Sequence, residues 1–175
     1  MIYPVVAFGS PMLKKVGIEV PADYFDLKKL SEDMFETMRS ANGVGLAAPQ
    51  IGKSMRMFVV SYDGFDQVFV NPEIIDEYGE QCSIEEGCLS IPSIKADVLR
   101  SESVKVRYFD EEWNQYENVF DGITARIIQH EYDHINGVLF TDHLNSLKKR
   151  LFKKKLTNIS KGKVAVNYNM KFPSK

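Results

Sequence analysis

Residues 129–134 read Gln129-His130-Glu131-Tyr132-Asp133-His134, and this stretch decides how the rest of the chain is interpreted. Because His134 follows His130 by one helical turn, both imidazoles would leave the same face of a helix. Two neutral imidazole nitrogens placed in this way can bind one metal ion. Glu131, next to the first histidine, can take a proton from water. The stretch therefore predicts a hydrolytic metal site, with a pair of structural histidines as the simpler alternative.

A third metal ligand is expected upstream of this stretch. One protease class carries a further histidine six residues after His134, but that position is Phe140. No Asp or Glu follows Asp142, so a glutamate from a later helix is excluded as well. Upstream, Cys88 could complete a Cys-His-His set, and Gly87 before it would let the backbone approach the site. A lone cysteine is more often a small buried residue than a ligand, so both interpretations of Cys88 stay open.

The pattern of apolar and turn-forming residues predicts one domain of the α+β class. Asp26 and Asp121 stand where helix caps are expected, and Gly137 where a helix should end. The predicted helices cover residues 26–39, 122–136 and 145–159. The predicted strands cover residues 55–61, 67–71, 104–108 and 114–120, and residues 163–172 are expected to form a terminal strand or an extended arm.

Charge is unevenly distributed along the 175 residues. The chain has 24 acidic and 22 basic residues, yet ten of the basic ones lie between Lys148 and Lys175, where no acid occurs. Such a segment can face nucleic acid or an anionic surface, and a solvated helix face explains it equally well. The N-terminus lacks the features of a signal peptide, and no apolar run is long enough to span a membrane. These features predict a cytoplasmic protein that does not bind membranes.

Three separated motifs stand out along the chain. They are Gly43-Val44-Gly45-Leu46-Ala47-Ala48-Pro49-Gln50, Glu86-Gly87-Cys88-Leu89-Ser90 and Gln129-His130-Glu131-Tyr132-Asp133-His134. Their sequences, order and separations resemble the signature motifs of peptide deformylases, and the resemblance extends from residue 1 to about residue 155. Either of the first two would be only suggestive alone, but the three together are specific.

The resemblance implies an enzyme that removes the formyl group from the N-terminal formyl-methionine of newly made polypeptides. It implies a fold of antiparallel strands around a central metal-binding helix, with Cys88, His130 and His134 as ligands. The metal would be ferrous iron, with zinc, nickel or cobalt as substitutes. The catalytic domain would span residues 1–160, and residues 161–175 would form a C-terminal tail or terminal strand of the same domain.

The resemblance also implies roles for residues around the metal. Glu131 would act as general base and then general acid. The side-chain amide of Gln50 and the backbone N–H of Leu89 would stabilise the oxyanion. Without its motif, Gln50 would be better explained as a loop residue that bonds local backbone, but the motif favours the functional role. The substrate backbone would pair along Gly43, Val44 and Gly45, with Gly87 close to it.

An apolar pocket for the methionine side chain is expected beside the metal. Ile127, Ile123 and Ile84 are the candidates to line it. Arg126 departs from the apolar residue that many family members carry there. Its stem is expected to line the pocket while its charge reaches water.

Two other classes of function remain open from the residues. A metalloprotease or another metallo-amidase would keep the metal and accept different substrates. A non-catalytic metal-binding or nucleic-acid-binding protein would explain the basic segment. Under the deformylase interpretation, nascent formyl-methionyl polypeptides are the substrate, and the basic segment is expected to help docking on the ribosome.

Overall fold

A computed structural model describes residues 1–173, and residues 174–175 of the predicted C-terminal tail lie outside the described part. The chain has seven strands within this part: β1 (Val5–Val6), β2 (Gly45–Ala47), β3 (Met57–Tyr62), β4 (Phe65–Cys88), β5 (Ile91–Phe109), β6 (Gln115–Asp121) and β7 (Met170–Lys171). An antiparallel sheet contains five of them in the order β2-β3-β4-β5-β6, and a separate parallel pair contains β1 and β7. The helices are α1 (Leu27–Ser40), α2 (Gly122–Ile135) and α3 (Ser146–Ser160), and short 3-10 helices cover Pro11–Lys14, Ala48–Ile51 and Phe140–His143.

The hairpin of β4 and β5 is much longer than the sequence patterns predict. The predicted strands at 67–71 and 104–108 are only parts of it. The pairing register shifts next to Pro72 and again next to Gly79, residues that normally interrupt a strand. β-Bulges therefore absorb these residues, and the hairpin bends without ending.

The prediction of one buried face on β5 is confirmed. Val104, Val106 and Tyr108 are buried, and they alternate with the more exposed Lys105 and Arg107. This alternation is what a strand shows when one face of its sheet packs against the core. The face belongs to the core that lies under α2.

The helix predictions are correct in position and partly wrong about the caps. Asp26 precedes α1, but its backbone is left-handed (φ 64°), and its side chain caps no described N–H. Capping requires an extended backbone at that position, which explains the failure. Asp121 also makes no capping bond to a described residue, because its carboxylate accepts a hydrogen bond from the Ser103 hydroxyl at 2.6 Å. Gly137 ends α2 with φ 73°, as predicted.

Helix α2 is central to the fold. Ala125, Ile128 and Ile135 are fully buried against the inner face of the sheet. Apolar residues of β3 and β5 form the other side of this core. The expected α+β fold, with antiparallel strands around a central helix, is confirmed.

The C-terminal segment returns to the start of the chain. Asn145 caps α3 by accepting a hydrogen bond from the Lys148 N–H, and the helix packs on the domain through Phe152, Leu156 and Ile159. Of the strand predicted over residues 163–172, only Met170–Lys171 pairs, because its partner β1 has just two residues. Within residues 1–173, every helix is too short or too polar to cross a membrane.

Candidate metal centre and substrate cleft

The three predicted metal ligands come together from two elements. His130 and His134 lie on the buried face of α2, and Cys88 is the last residue of β4. A register shift between Gly87 and Cys88 separates the cysteine from the regular ladder, a device that re-aims side chains. The three ligand atoms lie within 4.8 Å of one another, and this is the sole such group within the described residues.

Hydrogen bonds fix which ring nitrogens face the group. His130 Nδ1 lies 3.0 Å from a carboxylate oxygen of Glu86, which leaves Nε2 for the metal side. His134 Nε2 lies 3.3 Å from Cys88 Sγ. Nδ1 of His134 has no partner within residues 1–173. The Phe140 ring stacks on the His130 ring, with 6.1 Å between ring centroids.

Glu131 is buried beside the ligand group. Burial raises the pKa of its carboxyl to about 7, against the opposing effect of His130. Its Oε2 atom has no hydrogen-bond partner in the described part of the chain. Gly45 allows this approach, because a Cβ there would lie 2.8 Å from Glu131 Cδ.

Gln50 is held with its amide directed at the same place. It lies on the 3-10 helix Ala48–Ile51, and its Oε1 accepts a hydrogen bond from the Ala47 N–H at 2.8 Å. Its Nε2 then donates to Cys88 Sγ at 3.5 Å and to the Ser90 hydroxyl at 3.3 Å. The Oε1 end therefore bonds local backbone, as the loop interpretation expects, while the Nε2 end faces the predicted ligand group.

A buried network of charges lies behind His130, and no sequence pattern indicated it. Glu86 accepts two hydrogen bonds from Arg100, at 2.7 and 3.0 Å, besides the contact with His130. Burial alone would raise the pKa of Glu86, but the hydrogen bonds from His130 and Arg100 outweigh it and lower the pKa to about 2. Arg100 also donates to Asp133 at 2.9 Å, and Asp133 contacts His143 at 2.7 Å.

Arg126 belongs to this network, and the expectation that its charge reaches water is wrong. Its guanidinium is buried and donates to Glu86 at 2.7 Å and to the carbonyl of Val98 at 2.9 Å. A further hydrogen bond goes to the carbonyl of Cys82. Arg126 thus ties α2 to β4 and β5, and the ion pair with Glu86 is what allows burial of the charge.

A cleft of about 590 Å³ opens onto Cys88, His130 and Glu131. It contains every residue predicted to contact substrate, and also Tyr168, which no motif had indicated. Tyr168 lies far beyond the motifs, so only the folded chain reveals it. The predicted residues in the lining are Gly43, Val44, Gly45, Gln50, Ile84, Gly87, Leu89, Ile123 and Ile127.

The residues present fit a metal ion. A cysteine and two imidazoles are ordinary transition-metal donors, and each offers one ligand atom to the same small volume. The carboxylate behind His130 is the usual outer partner of a metal-bound histidine. Glu131 adds a buried carboxylate oxygen without a partner among residues 1–173.

The family model described as polypeptide deformylase matches residues 2–150. The chain belongs to the peptide deformylase family. It is 55% identical to the peptide deformylase of Cytophaga hutchinsonii over 100% of both chains. It is 47% identical to that of Christiangramia forsetii, over 99% of this chain and 97% of the relative.

Solved deformylase structures agree with this fold. A crystal structure of a peptide deformylase from Legionella pneumophila superimposes with a TM-score of 0.86 at 39% identity, over 92% of this chain and 96% of that one. The peptide deformylase from Thermotoga maritima gives a TM-score of 0.80 at 41% identity, over 83% and 99%. This deformylase is therefore a metal-dependent hydrolase that removes the N-terminal formyl group from nascent polypeptides.

Proposed function

We propose that the deformylase holds ferrous iron through Cys88, His130 and His134, with zinc, nickel or cobalt as substitutes. The observation that carries this proposal is the convergence of the three ligand atoms beside a buried carboxylate. Imidazole nitrogens suit iron, nickel and zinc alike, so the donor set accommodates each of these metals. A bound divalent ion would polarise the formyl carbonyl and bring the pKa of water to about 7.

Glu131 is the proposed general base and general acid. Its carboxylate takes a proton from the attacking water and later delivers one to the leaving amine. The pKa of about 7 suits both steps, because the group can gain and lose a proton near neutrality. Burial also keeps bulk water away from the carboxylate, which strengthens its interactions.

The oxyanion is proposed to accept hydrogen bonds from Gln50 and from the backbone N–H of Leu89. The amide of Gln50 is already oriented through its Oε1, so little reorganisation is needed. Leu89 follows Cys88 directly and lines the same cleft. Donors fixed in advance are effective because they do not have to be ordered during the reaction.

The substrate backbone is proposed to add as a strand beside Gly43, Val44 and Gly45, with Gly87 on the other wall. Strand β2 is at the edge of the sheet, so one side of it is not paired with another strand of that sheet. Val44 already continues the ladder toward β3, where its carbonyl accepts from the Ser61 N–H at 2.8 Å. An exposed strand edge of this kind recognises extended peptides through main-chain hydrogen bonds.

The methionine side chain is proposed to bind against Ile127, with Ile84 and Ile123 beside it. All three line the cleft, and Ile84 and Ile123 are partly exposed to it. Arg126 lies next to them, but its charge is neutralised by Glu86. The pocket is therefore apolar where a thioether side chain would contact it.

The test compares formyl-methionyl and acetyl-methionyl tripeptides with enzyme purified without oxygen. Formate release and metal content are measured together, and we expect rapid turnover of the formyl peptide alone. Cys88→Ala should lose the metal and the activity, whereas Cys82→Ala, the matched control six residues earlier on β4, should keep both. Equal cleavage of acetyl and formyl peptides would contradict the proposal.

We also propose that residues 1–160 form the catalytic domain and that residues 161–175 are its C-terminal extension. The enzyme is proposed to work in the cytoplasm, where it docks on ribosomes. The support for docking is the outer face of α3, which exposes Lys149, Arg150 and the run 153–155. Ribosomal RNA is strongly anionic, so these charges favour binding that weakens as salt rises.

Paired charge reversals test the docking proposal. Lys154→Glu with Lys155→Glu should weaken binding to purified ribosomes while leaving formate release from free peptide unchanged. The control is Lys15→Glu with Lys28→Glu, two exposed lysines outside the segment. Equal loss of binding in both pairs would show that only overall charge matters and would contradict a defined docking face.

A further inference from the structure

The turn between β4 and β5 is fixed by parts of the chain that are distant in sequence. The Tyr168 hydroxyl donates to the carbonyl of Leu89 at 2.8 Å. The next carbonyl, that of Ser90, accepts from the Phe8 N–H at 2.9 Å. The Ser90 hydroxyl accepts from Gln50 at 3.3 Å. Segments from both terminal regions therefore set the conformation of the turn that follows Cys88.

Backbone pairing places Tyr168 beside this turn. The carbonyl of Asn169, the next residue, accepts from the Val5 N–H at 2.8 Å. Strand β7 then pairs with β1, and the Lys171 carbonyl accepts from the Ala7 N–H at 2.9 Å. Since Phe8 continues directly from these residues, one stretch of backbone holds both the tyrosine and the turn.

The ring of Tyr168 is half-buried and forms part of the substrate cleft. Burial raises the pKa of its hydroxyl to about 12, and Cys88 adds a smaller effect in the same direction. The hydroxyl therefore stays protonated and remains a donor to Leu89. Tyr168 lies beyond residues 2–150, the part that the family model matches.

We infer that Tyr168 is a positioning residue for deformylation: its hydroxyl fixes the Leu89 backbone, and its ring forms one wall of the substrate cleft. The inference rests on the proposed role of the Leu89 N–H as an oxyanion donor. The bond to the Leu89 carbonyl holds the Leu89–Ser90 peptide, while Cys88 at the end of β4 holds the preceding peptide, which carries the Leu89 N–H. Leu89 is thereby restrained from both sides, which limits reorientation of its N–H. The C-terminal segment is thus part of the active site as well as a support for the fold.

The decisive variant is Tyr168→Phe, which removes the hydroxyl and keeps the ring. Loss of one neutral hydrogen bond that holds the oxyanion donor should lower kcat roughly twofold to tenfold. KM and the inhibition constant of the methionyl product peptide should not change, because neither depends on the oxyanion. Activity is expressed per bound metal ion. The control is Tyr116→Phe, which also removes a tyrosine hydroxyl, but one that donates to Asp110 near the β5–β6 turn and not to the cleft.

A second variant, Tyr168→Ala, tests whether the tyrosine ring forms a wall of the substrate cleft. It should repeat the fall in kcat and also raise KM and the product inhibition constant, because the cleft loses one side. Unchanged kcat in Tyr168→Phe, or an equal fall in Tyr116→Phe, would overturn the inference. Formate release by the wild-type enzyme is measured in parallel. If the wild type releases no formate, the proposed function is refuted. If the wild type turns over normally and Tyr168→Phe has the same kcat, only the positioning role is refuted.

Discussion

The two sides of α2 differ in how their polar groups are satisfied. Behind His130, the Glu86 carboxylate accepts hydrogen bonds from Arg100, Arg126 and the imidazole itself. Glu131, the residue after His130, is equally buried, yet its Oε2 has no partner among residues 1–173. A buried polar atom without a partner is costly in a folded protein. The satisfied side, around Glu86, therefore supports the structure, and the unsatisfied side, around Glu131, is where we propose that water and substrate react.

The largest expected effect comes from the unsatisfied side. Glu131→Gln keeps the shape of the side chain but removes the proton acceptor. Because general acid–base catalysis contributes roughly 10²–10⁴-fold, kcat should fall by that factor while metal content stays normal. Formate release and metal analysis on the same sample check this. Near-normal turnover would mean that another group accepts the proton.

The next effect comes from the satisfied side, through Arg100→Met. The change leaves Glu86 and Asp133 buried with fewer partners, and breaking a buried pair in this way costs about 3–5 kcal/mol. Denaturant unfolding should show the loss. The control is Arg107→Met, an arginine on the same strand whose ion pairs are exposed, and it should change stability far less. Similar losses in both variants would show that the buried ion pairs contribute no more to stability than the exposed ones.

A smaller loss is expected for Arg126→Met. Glu86 keeps Arg100 and His130 as partners, while the carbonyls of Val98 and Cys82 lose a donor. Only the Val98 carbonyl is fully buried in this contact, so the total loss should be about 1–3 kcal/mol, between the losses of the Arg100 and Arg107 variants. If the variant binds metal less tightly at equal stability, Arg126 also controls the orientation of His130.

The smallest effect is expected where the network reaches solvent. His143 is partly exposed and contacts Asp133, which keeps its bond to Arg100 when the imidazole is removed. His143→Ala should therefore reduce the free energy of unfolding by less than about 1 kcal/mol. A larger loss would show that the stabilising network around Glu86 includes His143 at the protein surface.

The same contrast explains what could be predicted from the sequence. The two histidines of the metal group were predictable because they lie one helical turn apart, a local relationship. Cys88 is distant in sequence, and only the resemblance of its motif to a known family indicated it as a ligand. The role of Glu86 was not, although its motif was recognised, because its partners Arg100 and Arg126 reach it only through strand pairing and helix packing. For the same reason, Arg126 was expected in water and is found buried. Pro72 and Gly79 concealed the true length of β4, because bulges cannot be predicted from residue type alone.

The pairing of β1 with β7 has a consequence for the order of folding. Strands β4 and β5 are adjacent in sequence, so their hairpin can form early through local contacts. Val5 can pair with Met170 only after nearly the whole chain has closed into a loop, which is entropically costly and slow. We therefore expect Cys88 to reach its strand position early, and the turn at Leu89 and Ser90 to become fixed last. Late protection of the Val5 and Ala7 amides in pulsed hydrogen exchange would reveal that order.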